Sequence, residues 1–383
     1  MPPRKILIIG NGFDVANGLP TKYCEFLEFC EKASYIFEEA SLVNSKEYYD
    51  EYLKEWMFDS NVKTFLRNIF ILKRSSNEDI LKLDLNLNII DKYNSLNDNS
   101  HYLQILEELY KCIQGNVWYK YFQEKIKGNS KLGKNWIDFE SEIAKVLLSK
   151  DKNQSLYSNM KYKLRVHDDE MPSILLEHLN RLTHALEIYL NIVLRTIKPK
   201  MIKDLNNLKF DYVLSFNYTD TFFRCYINNF FNYTSEYCYI HGKASDNSSV
   251  ETCNLVLGID DKEEIDDEQF LAFKKFYQRI IKQTDNKYSN WLDEIKISPE
   301  LKSELHIFGH SLDVTDKDIL KDFIVNDNVY TTIYYYRRYE NDKADFSSKI
   351  RNLIKIIGKE ELIKRTSNGT IKFVPQKLAE KTE

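Results

Sequence analysis

The sequence predicts an α/β fold: a Rossmann-like, doubly wound and mostly parallel sheet that carries a large helical insertion. The first apolar run, residues 5–9, ends in the turn Gly10-Asn11-Gly12, a pattern typical of a buried parallel strand. Residues 35–206 then show helical periodicity and almost no strand-like run. After residue 207, short apolar runs alternate with helical patterns, as they do in doubly wound sheets.

The individual elements follow from these periodicities. Further strands are predicted at 211–216, 237–240, 255–257, 305–308 and 329–336. Helices are predicted at 47–73, 101–127, 136–149, 172–198, 263–284, 316–325 and 342–357, the last of them ended by Gly358. The polar segment 74–100 is predicted to be a loop with one short element. The predicted domains are the first strand and nucleotide loop (1–34), a helical insertion (35–206) and the remainder of the Rossmann-like domain (207–383).

The composition excludes several classes of protein. With 43% hydrophobic and 29% charged residues, the 383-residue chain is too apolar for a disordered protein and too charged for a membrane protein. A formal net charge of −4 gives no general attraction for nucleic acids or anionic membranes. The first apolar run is too short for a signal peptide, and no stretch approaches the roughly 18 apolar residues of a membrane span. We therefore expect a cytoplasmic protein without membrane contact.

Cysteine and glycine usage add two expectations. The six cysteines form no CxxC pair, so in a chain without a secretion signal they are expected to be reduced, structural thiols. Cys225, Cys238 and Cys253 lack the paired spacing of a zinc knuckle, and no metal site is expected. The chain has only 11 glycines, whereas a usage of about 7% would give roughly 27. We expect them to lie where only glycine fits.

Unusual residues follow four of the predicted strands. Gly10 and Gly12 would let backbone N–H groups approach a phosphate, although a tight strand-to-helix turn explains them equally well. Asn217 follows the strand 211–216, where its amide would orient a ribose hydroxyl or a water; the alternative is a helix cap. His241 follows the next strand and is either a general base or a structural histidine.

The fourth segment, after the strand 305–308, is Gly309-His310-Ser311-Leu312-Asp313. Its glycine and serine would bind ribose or phosphate, whereas Asp313 is alternatively a cap of the next helix. A separate motif, Trp136-Ile-Asp138-Phe-Glu140, begins a predicted helix. Because residues i and i+2 do not share a helix face, we expect one carboxylate to cap the helix and the other to be structural or to turn toward the site.

Taken together, these segments resemble a known protein family. IIGNGFDVANGLPTKYCEF, NWIDFE, LSFNYTDTF, YIHG, LVLGID and FGHSLDVTD occur in the order typical of the AbiH family of bacterial phage-abortive-infection proteins. The motifs extend from residue 6 to the tyrosine-rich strand near residue 336. The resemblance implies a role in abortive infection, with a phage component as the trigger.

The AbiH family in turn distantly resembles the sirtuins, which implies a Rossmann-like fold that binds NAD. By position, Gly10 and Gly12 match the sirtuin GAG loop, and Asn217 matches the asparagine of the TQNID segment. His241 matches the general-base histidine of the HG motif. Gly309 and Ser311 match the GTS segment.

The chain also departs from the sirtuin pattern. Asn11 replaces the alanine of the loop, Asp220 lies one residue further from the asparagine, and His310 replaces a threonine. The four-cysteine zinc module is missing. Loss of that module, together with the helical insertion, argues against peptide deacylation, whereas hydrolysis of NAD needs no channel for an acylated lysine.

The resemblance thus implies an NAD glycohydrolase that converts NAD to ADP-ribose and nicotinamide. Asn217 and His241 are the predicted catalytic residues. The predicted NAD-binding residues are Gly10, Asn11, Gly12, Phe13, Asp14, Ser215, Asp220, Gly309, His310 and Ser311. A non-catalytic sensor or scaffold that binds NAD or ADP-ribose stays open as an alternative, and a homo-oligomer is compatible with both. A nucleic-acid-directed effector is disfavoured by the mild acidity and by the lack of a metal–carboxylate or HNH arrangement.

Overall fold

The computed structural model describes residues 4–38, 60–74, 96–128, 136–150, 156–205, 208–227, 235–259, 268–297 and 302–377. The chain forms two compact units. The sheet unit comprises Met1–Gly18, Pro199–Lys243 and Gln283–Glu383, and the helical unit comprises Leu19–Lys198 and Ala244–Lys282. The structure thus groups residues 19–34 and 244–282 with the helices, whereas the sequence predicts both segments to belong with the sheet.

The sheet unit contains a six-stranded parallel sheet, in the order β3-β2-β1-β4-β5-β6. Its strands are β1 (Lys5–Ile9), β2 (Tyr212–Ser215), β3 (Glu236–Tyr239), β4 (Ser303–Phe308), β5 (Val329–Tyr335) and β6 (Ile371–Pro375). The strand order reverses between β1 and β4, which is the arrangement of a Rossmann fold. The predicted fold class is therefore confirmed.

Both units contain helices. In chain order they are α1 (Asn11–Ala16), α2 (Tyr23–Glu38), α3 (Ser60–Arg74), α4 (Leu96–Ile113), α5 (Val117–Gly128), α6 (Trp136–Leu147), α7 (Leu156–Leu164), α8 (Met171–Thr196), α9 (Lys275–Ile281), α10 (Tyr288–Ile297), α11 (Lys317–Ile324), α12 (Ala344–Ile357) and α13 (Lys359–Ser367). Within the described residues, no helix combines the length and the apolar composition that crossing a membrane requires.

Both faces of the sheet are buried, which explains why its strands are almost continuously apolar. Side chains alternate along a strand, so Ile6 and Ile8 point to one face of β1 while Leu7 and Ile9 point to the other. The first face packs against apolar side chains of α10, α11, α12 and α13. The second packs against Phe13 of α1 and against apolar residues of the segments that flank β2. Helices on both faces are the physical basis of an all-parallel sheet.

The helical unit is built around α8, whose apolar residues occupy most of its length. Its buried positions include Leu175, Leu179, Leu182 and Leu186, and their spacing is that of a helix face. The predicted helix 101–127 is divided in two, because Gly115 adopts a left-handed backbone with φ of 69°. Asn116 then caps α5, since its side-chain oxygen accepts hydrogen bonds from the N–H groups of Trp118 and Tyr119.

The predicted strand 255–257 is not a strand. These residues are buried, but the hydrogen bonds to the backbone of Leu257 come from the side chain of Gln278 and not from a neighbouring strand. Its amide accepts from the N–H of Leu257 at 3.2 Å and donates to the C=O of Leu257 at 3.0 Å. Conversely, β6 and α13 lie where no element is predicted. The predicted helix 263–284 is a 3-10 turn, Glu268–Phe273, followed by α9, and residues 260–267 lie outside the described residues.

The loops that follow β1 and β4 are in direct backbone contact. The N–H of Gly12 donates to the C=O of Gly309 at 2.9 Å, and the N–H of Gly10 donates to the C=O of Phe308 at 3.3 Å. A Cβ on Gly12 would lie 2.8 Å from the Gly309 oxygen, and a Cβ on Gly309 would lie 2.0 Å from the Phe13 nitrogen. Only glycine fits at these positions.

We predict that Gly309→Ala destabilises the protein far more than Gly369→Ala. Both glycines have positive φ, 68° and 77°, but only the new methyl group at Gly309 meets neighbouring atoms. The shared strain costs about 1–2 kcal/mol, and the clash at Gly309 should raise the loss to about 4 kcal/mol or more. Urea unfolding of the two variants and the parent protein measures both losses. Equal losses would contradict the close contact between the loops.

Candidate functional site

Polar side chains collect at one edge of the sheet. Because all strands are parallel, the loops after β1, β2, β3 and β4 leave the sheet at the same edge. They carry Asp14, Asn217, His241 and Asp316, respectively. In open parallel sheets, ligands bind outside the carboxyl ends of the strands where the strand order reverses. The four loops surround that position.

Asp14 is a buried carboxyl group on α1, and only 1% of its surface is exposed. One carboxylate oxygen, Oδ2, accepts a hydrogen bond from Oγ1 of Thr219 at 2.6 Å. Thr221 in turn donates to Thr219 at 3.0 Å. Burial raises the pKa of Asp14 to about 6, although the neighbouring hydroxyl groups and the Asn217 amide lower it in part. A carboxyl group with such a pKa changes its protonation state near neutral pH.

Asn217 presents a buried amide group to the interior of the site. Its backbone is fixed by Ser215, whose Oγ accepts from the N–H of Asn217 and donates to its C=O, both at 3.1 Å. The side-chain nitrogen and oxygen are buried beside Asp14, whose pKa the nearby amide lowers, but neither atom forms a hydrogen bond of ordinary length and angle among the described residues. An amide that is 5% exposed and lacks such a hydrogen bond is unusual, because buried polar groups are nearly always paired.

His241 and His310 lie on either side of the Asp316 carboxylate. Nε2 of His241 is 3.4 Å from Oδ1 of Asp316, and Nε2 of His310 is 3.4 Å from Oδ2. The ring of Phe216 packs against both imidazoles, with centroid distances of 5.6 and 4.5 Å. The carboxylate is thereby held between two rings that it orients.

The tautomer of His310 follows from its backbone neighbour. Its Nδ1 accepts a hydrogen bond from the N–H of Leu312 at 2.9 Å, so the proton of the neutral ring is on Nε2, which faces Asp316. Leu312 achieves this geometry with a left-handed backbone, φ 57°. By the same logic, Asp316 stabilises the proton on Nε2 of His241 and leaves Nδ1 as the basic nitrogen. A histidine oriented in this way can accept a proton from water or a hydroxyl group.

The turn after β1 uses its amides within the protein. The N–H of Gly12 is bonded to Gly309, and the N–H of Phe13 donates to the C=O of Gly10 at 2.8 Å. Contact with the β4 loop therefore accounts for the two glycines, Gly10 and Gly12, without a phosphate. Asn11 is the first residue of α1.

The other predicted site residues occupy different environments. Phe13 is fully buried in the apolar core, where its ring lies 6.1 Å from those of Phe222, Tyr226 and Phe308. Asp220 pairs with Lys243 at 3.3 Å. The side chain of Ser311 is on the surface.

Asp313 and Glu140 both have structural roles. Asp313 is a cap, because its Oδ1 accepts from the N–H of Thr315 in the 3-10 turn before α11. Glu140 forms an ion pair with Lys275 at 2.7 Å, inside the helical unit. The side chains of Trp136 and Asp138 lie outside the described residues.

A comparison with protein families identifies the chain. The family model described as "Bacteriophage abortive infection AbiH" matches residues 6–336. The chain belongs to the AbiH family. Membership supports a role in abortive infection, the response of bacteria to infection by bacteriophages. No similar protein was found among curated proteins, and none among solved structures.

Three polar residues of this AbiH protein are part of the site although sequence reasoning did not select them. Thr219 and Thr221 lie within the motif LSFNYTDTF, and Asp316 ends the motif FGHSLDVTD. Their position in the family motifs was the available signal. The contact between Asp316 and His310 depends on the left-handed backbone of Leu312, which no sequence pattern predicts.

We predict that Asp14 makes the stability of this AbiH protein depend on pH between about 4 and 6. The carboxyl group titrates at its ordinary pKa of 3.8 in the unfolded chain and at about 6 in the folded protein. Between these values the unfolded state releases its proton while the folded state keeps it. The free energy of unfolding therefore falls as pH rises, by about 3 kcal/mol in total.

Urea unfolding of the parent protein and of Asp14→Asn, followed from about pH 4 to about pH 7, measures the contribution of Asp14 to the free energy of unfolding. The stability of the parent relative to the variant should decrease up to about pH 6 and then stay constant. A difference that does not vary with pH would contradict the raised pKa.

Proposed function

We propose that this site binds NAD and hydrolyses the bond between nicotinamide and ribose, so that the protein consumes NAD during abortive infection. The observation that carries the proposal is the buried Asn217 amide, whose two polar atoms lack a hydrogen-bond partner among the described residues. Leaving such a group unsatisfied costs about 1–3 kcal/mol. Hydrogen bonds to a ribose hydroxyl or to a bound water would offset that cost.

The surroundings of Asn217 support hydrolysis at a ribose. The amide lies beside Asp14 at the edge where the strand order reverses, a position that suits a nucleotide. His241, oriented by Asp316, supplies a base at the end of the neighbouring strand. The resemblance to sirtuins, in which an asparagine and a histidine occupy corresponding motifs, supports NAD as the nucleotide.

The proposed reaction breaks the bond between C1′ of the ribose and the pyridinium nitrogen. The electron pair of that bond goes to the nicotinamide ring, which leaves as a neutral molecule, while positive charge develops on the ribose. Asn217 positions the attacking water, and Nδ1 of His241 accepts its proton. The products are nicotinamide, ADP-ribose and one proton. Because the N–H groups of Gly12 and Phe13 already have protein acceptors, we do not assign the pyrophosphate to them.

We predict that Asn217→Ala abolishes the release of nicotinamide and the toxicity that accompanies it, without unfolding the protein. Removal of the positioned amide should lower the rate by about 10²-fold or more. NAD and nicotinamide are measured with purified full-length protein, and in bacteria that express it before and after phage infection, since a phage component is the proposed trigger. Asn290→Ala on the exposed face of α10 is the matched control and should retain full activity.

Two results would contradict this function. One is an Asn217→Ala variant that still consumes NAD at the parent rate. The other is a parent protein that binds NAD or ADP-ribose but never releases nicotinamide, before or after infection. The second result would instead identify a sensor or scaffold.

We predict that Asp316→Asn lowers the rate of NAD hydrolysis. The carboxylate lies between both imidazoles and fixes the tautomer that leaves Nδ1 of His241 as the basic nitrogen, so its loss should reduce kcat by about 10–100-fold. Asp313→Asn, a matched change in the same loop, should leave kcat near the parent value. An Asp316→Asn variant that hydrolyses NAD at the parent rate would contradict this role of the carboxylate.

A further inference from the structure

The helical unit contains a second cluster of reactive side chains. His184 and Glu187 lie one turn apart on the same face of α8. Cys253, from the segment that returns to the helical unit, completes the cluster, and all three residues are buried. One donor atom from each, a nitrogen, an oxygen and a sulfur, lies within 4.8 Å of the other two.

We propose that His184, Glu187 and Cys253 bind a divalent transition-metal ion of the zinc type. Imidazole nitrogen, thiolate sulfur and carboxylate oxygen are the donors that Zn²⁺ prefers in proteins. Nδ1 of His184 and Oε2 of Glu187 are 3.2 Å apart. Two such ligands on a tetrahedral zinc ion are separated by about 3.3 Å, given metal–ligand distances near 2.0–2.1 Å. The ion would replace the proton that these two atoms now share.

The groups around the cluster orient its ligands in the way that metal sites require. Nε2 of His184 lies 2.8 Å from Oε1 of Glu108 on α4, so the ring can donate there while Nδ1 faces the ion. A carboxylate on the far nitrogen of a ligating histidine is a common feature of zinc sites. Glu187 is fixed independently, since its Oε1 accepts from the N–H of Ser245 at 2.9 Å and its Oε2 from the hydroxyl of Ser248.

The charge balance of the cluster also suits a divalent ion. A thiolate, a carboxylate and a neutral imidazole together carry two negative charges, and the Glu108 carboxylate beside His184 is offset by the Lys282 ammonium near Cys253 and Glu187, so one divalent ion neutralises the cluster. Burying a neutral assembly avoids the large cost of burying separate charges. A pocket adjoins the cluster and is lined in part by His184, Glu108 and Ser248. It has room for a water molecule beside His184.

The test uses purified full-length protein that has been stripped of metal with a chelator. Titration with Zn²⁺ should show one equivalent bound and a rise in Tm. Titration with Co²⁺ should produce the charge-transfer absorption of a cobalt–thiolate bond. Cys253→Ser should remove that absorption and weaken Zn²⁺ binding by at least about 10-fold. Cys225→Ser, which alters a buried thiol of the sheet unit, is the matched control and should change neither.

Glu108→Gln gives a second variant, because Glu108 is half-exposed and its substitution leaves the three ligands in place. We expect Zn²⁺ binding to weaken by about 10–100-fold, with the cobalt–thiolate absorption retained. Absence of that absorption in the parent protein would overturn the proposal whether or not any variant folds. It would leave a protonated His184 that bridges Glu108 and Glu187 as the role of the cluster.

Discussion

The contact between the loop after β1 and the loop after β4 fixes the positions of the polar groups in the sheet unit. Gly12 and Gly309 approach so closely that a methyl group on either would meet backbone atoms. Asp14 is two residues beyond the first contact, and His310 directly follows the second. A displacement of either loop would separate Asp14 from Thr219, or His310 from Asp316. The backbone contact therefore requires glycine at this edge whether or not a ligand binds.

On this framework, several buried polar groups are satisfied by the protein itself. Oδ2 of Asp14 accepts a hydrogen bond from Thr219, and Asp316 orients two histidines. Among the described residues, Asp14 lacks a hydrogen-bond partner at Oδ1 only, whereas the Asn217 amide lacks one at both of its buried polar atoms. A ligand that supplies these hydrogen bonds explains the difference. The family establishes the setting of abortive infection, and the proposal of NAD hydrolysis assigns this amide a chemical task within it.

The sequence was sufficient for the parts of the structure that depend on short-range patterns. Continuous apolar runs identify β1, β2, β3, β4 and β5, and parallel pairing then places the residues after four of these strands at one edge. It was insufficient where distant residues decide the outcome. Residues 255–257 resemble a strand, but the Gln278 side chain satisfies Leu257 instead. The cluster of His184, Glu187 and Cys253 joins residues 69 positions apart, so cysteine spacing alone gives no indication of it.

In the proposed complex, Asn217 contacts the ribose of NAD at the edge where the strand order reverses. A crystal structure of the full-length protein with an uncleavable NAD analogue, in which a methylene group replaces the ring oxygen of the nicotinamide ribose, tests it directly. We expect the ribose or an adjoining water within hydrogen-bonding distance of the Asn217 amide, and Nδ1 of His241 facing the same atoms. An analogue bound away from the loops after β1 and β2, with the Asn217 amide still without a hydrogen-bond partner, would contradict the claim.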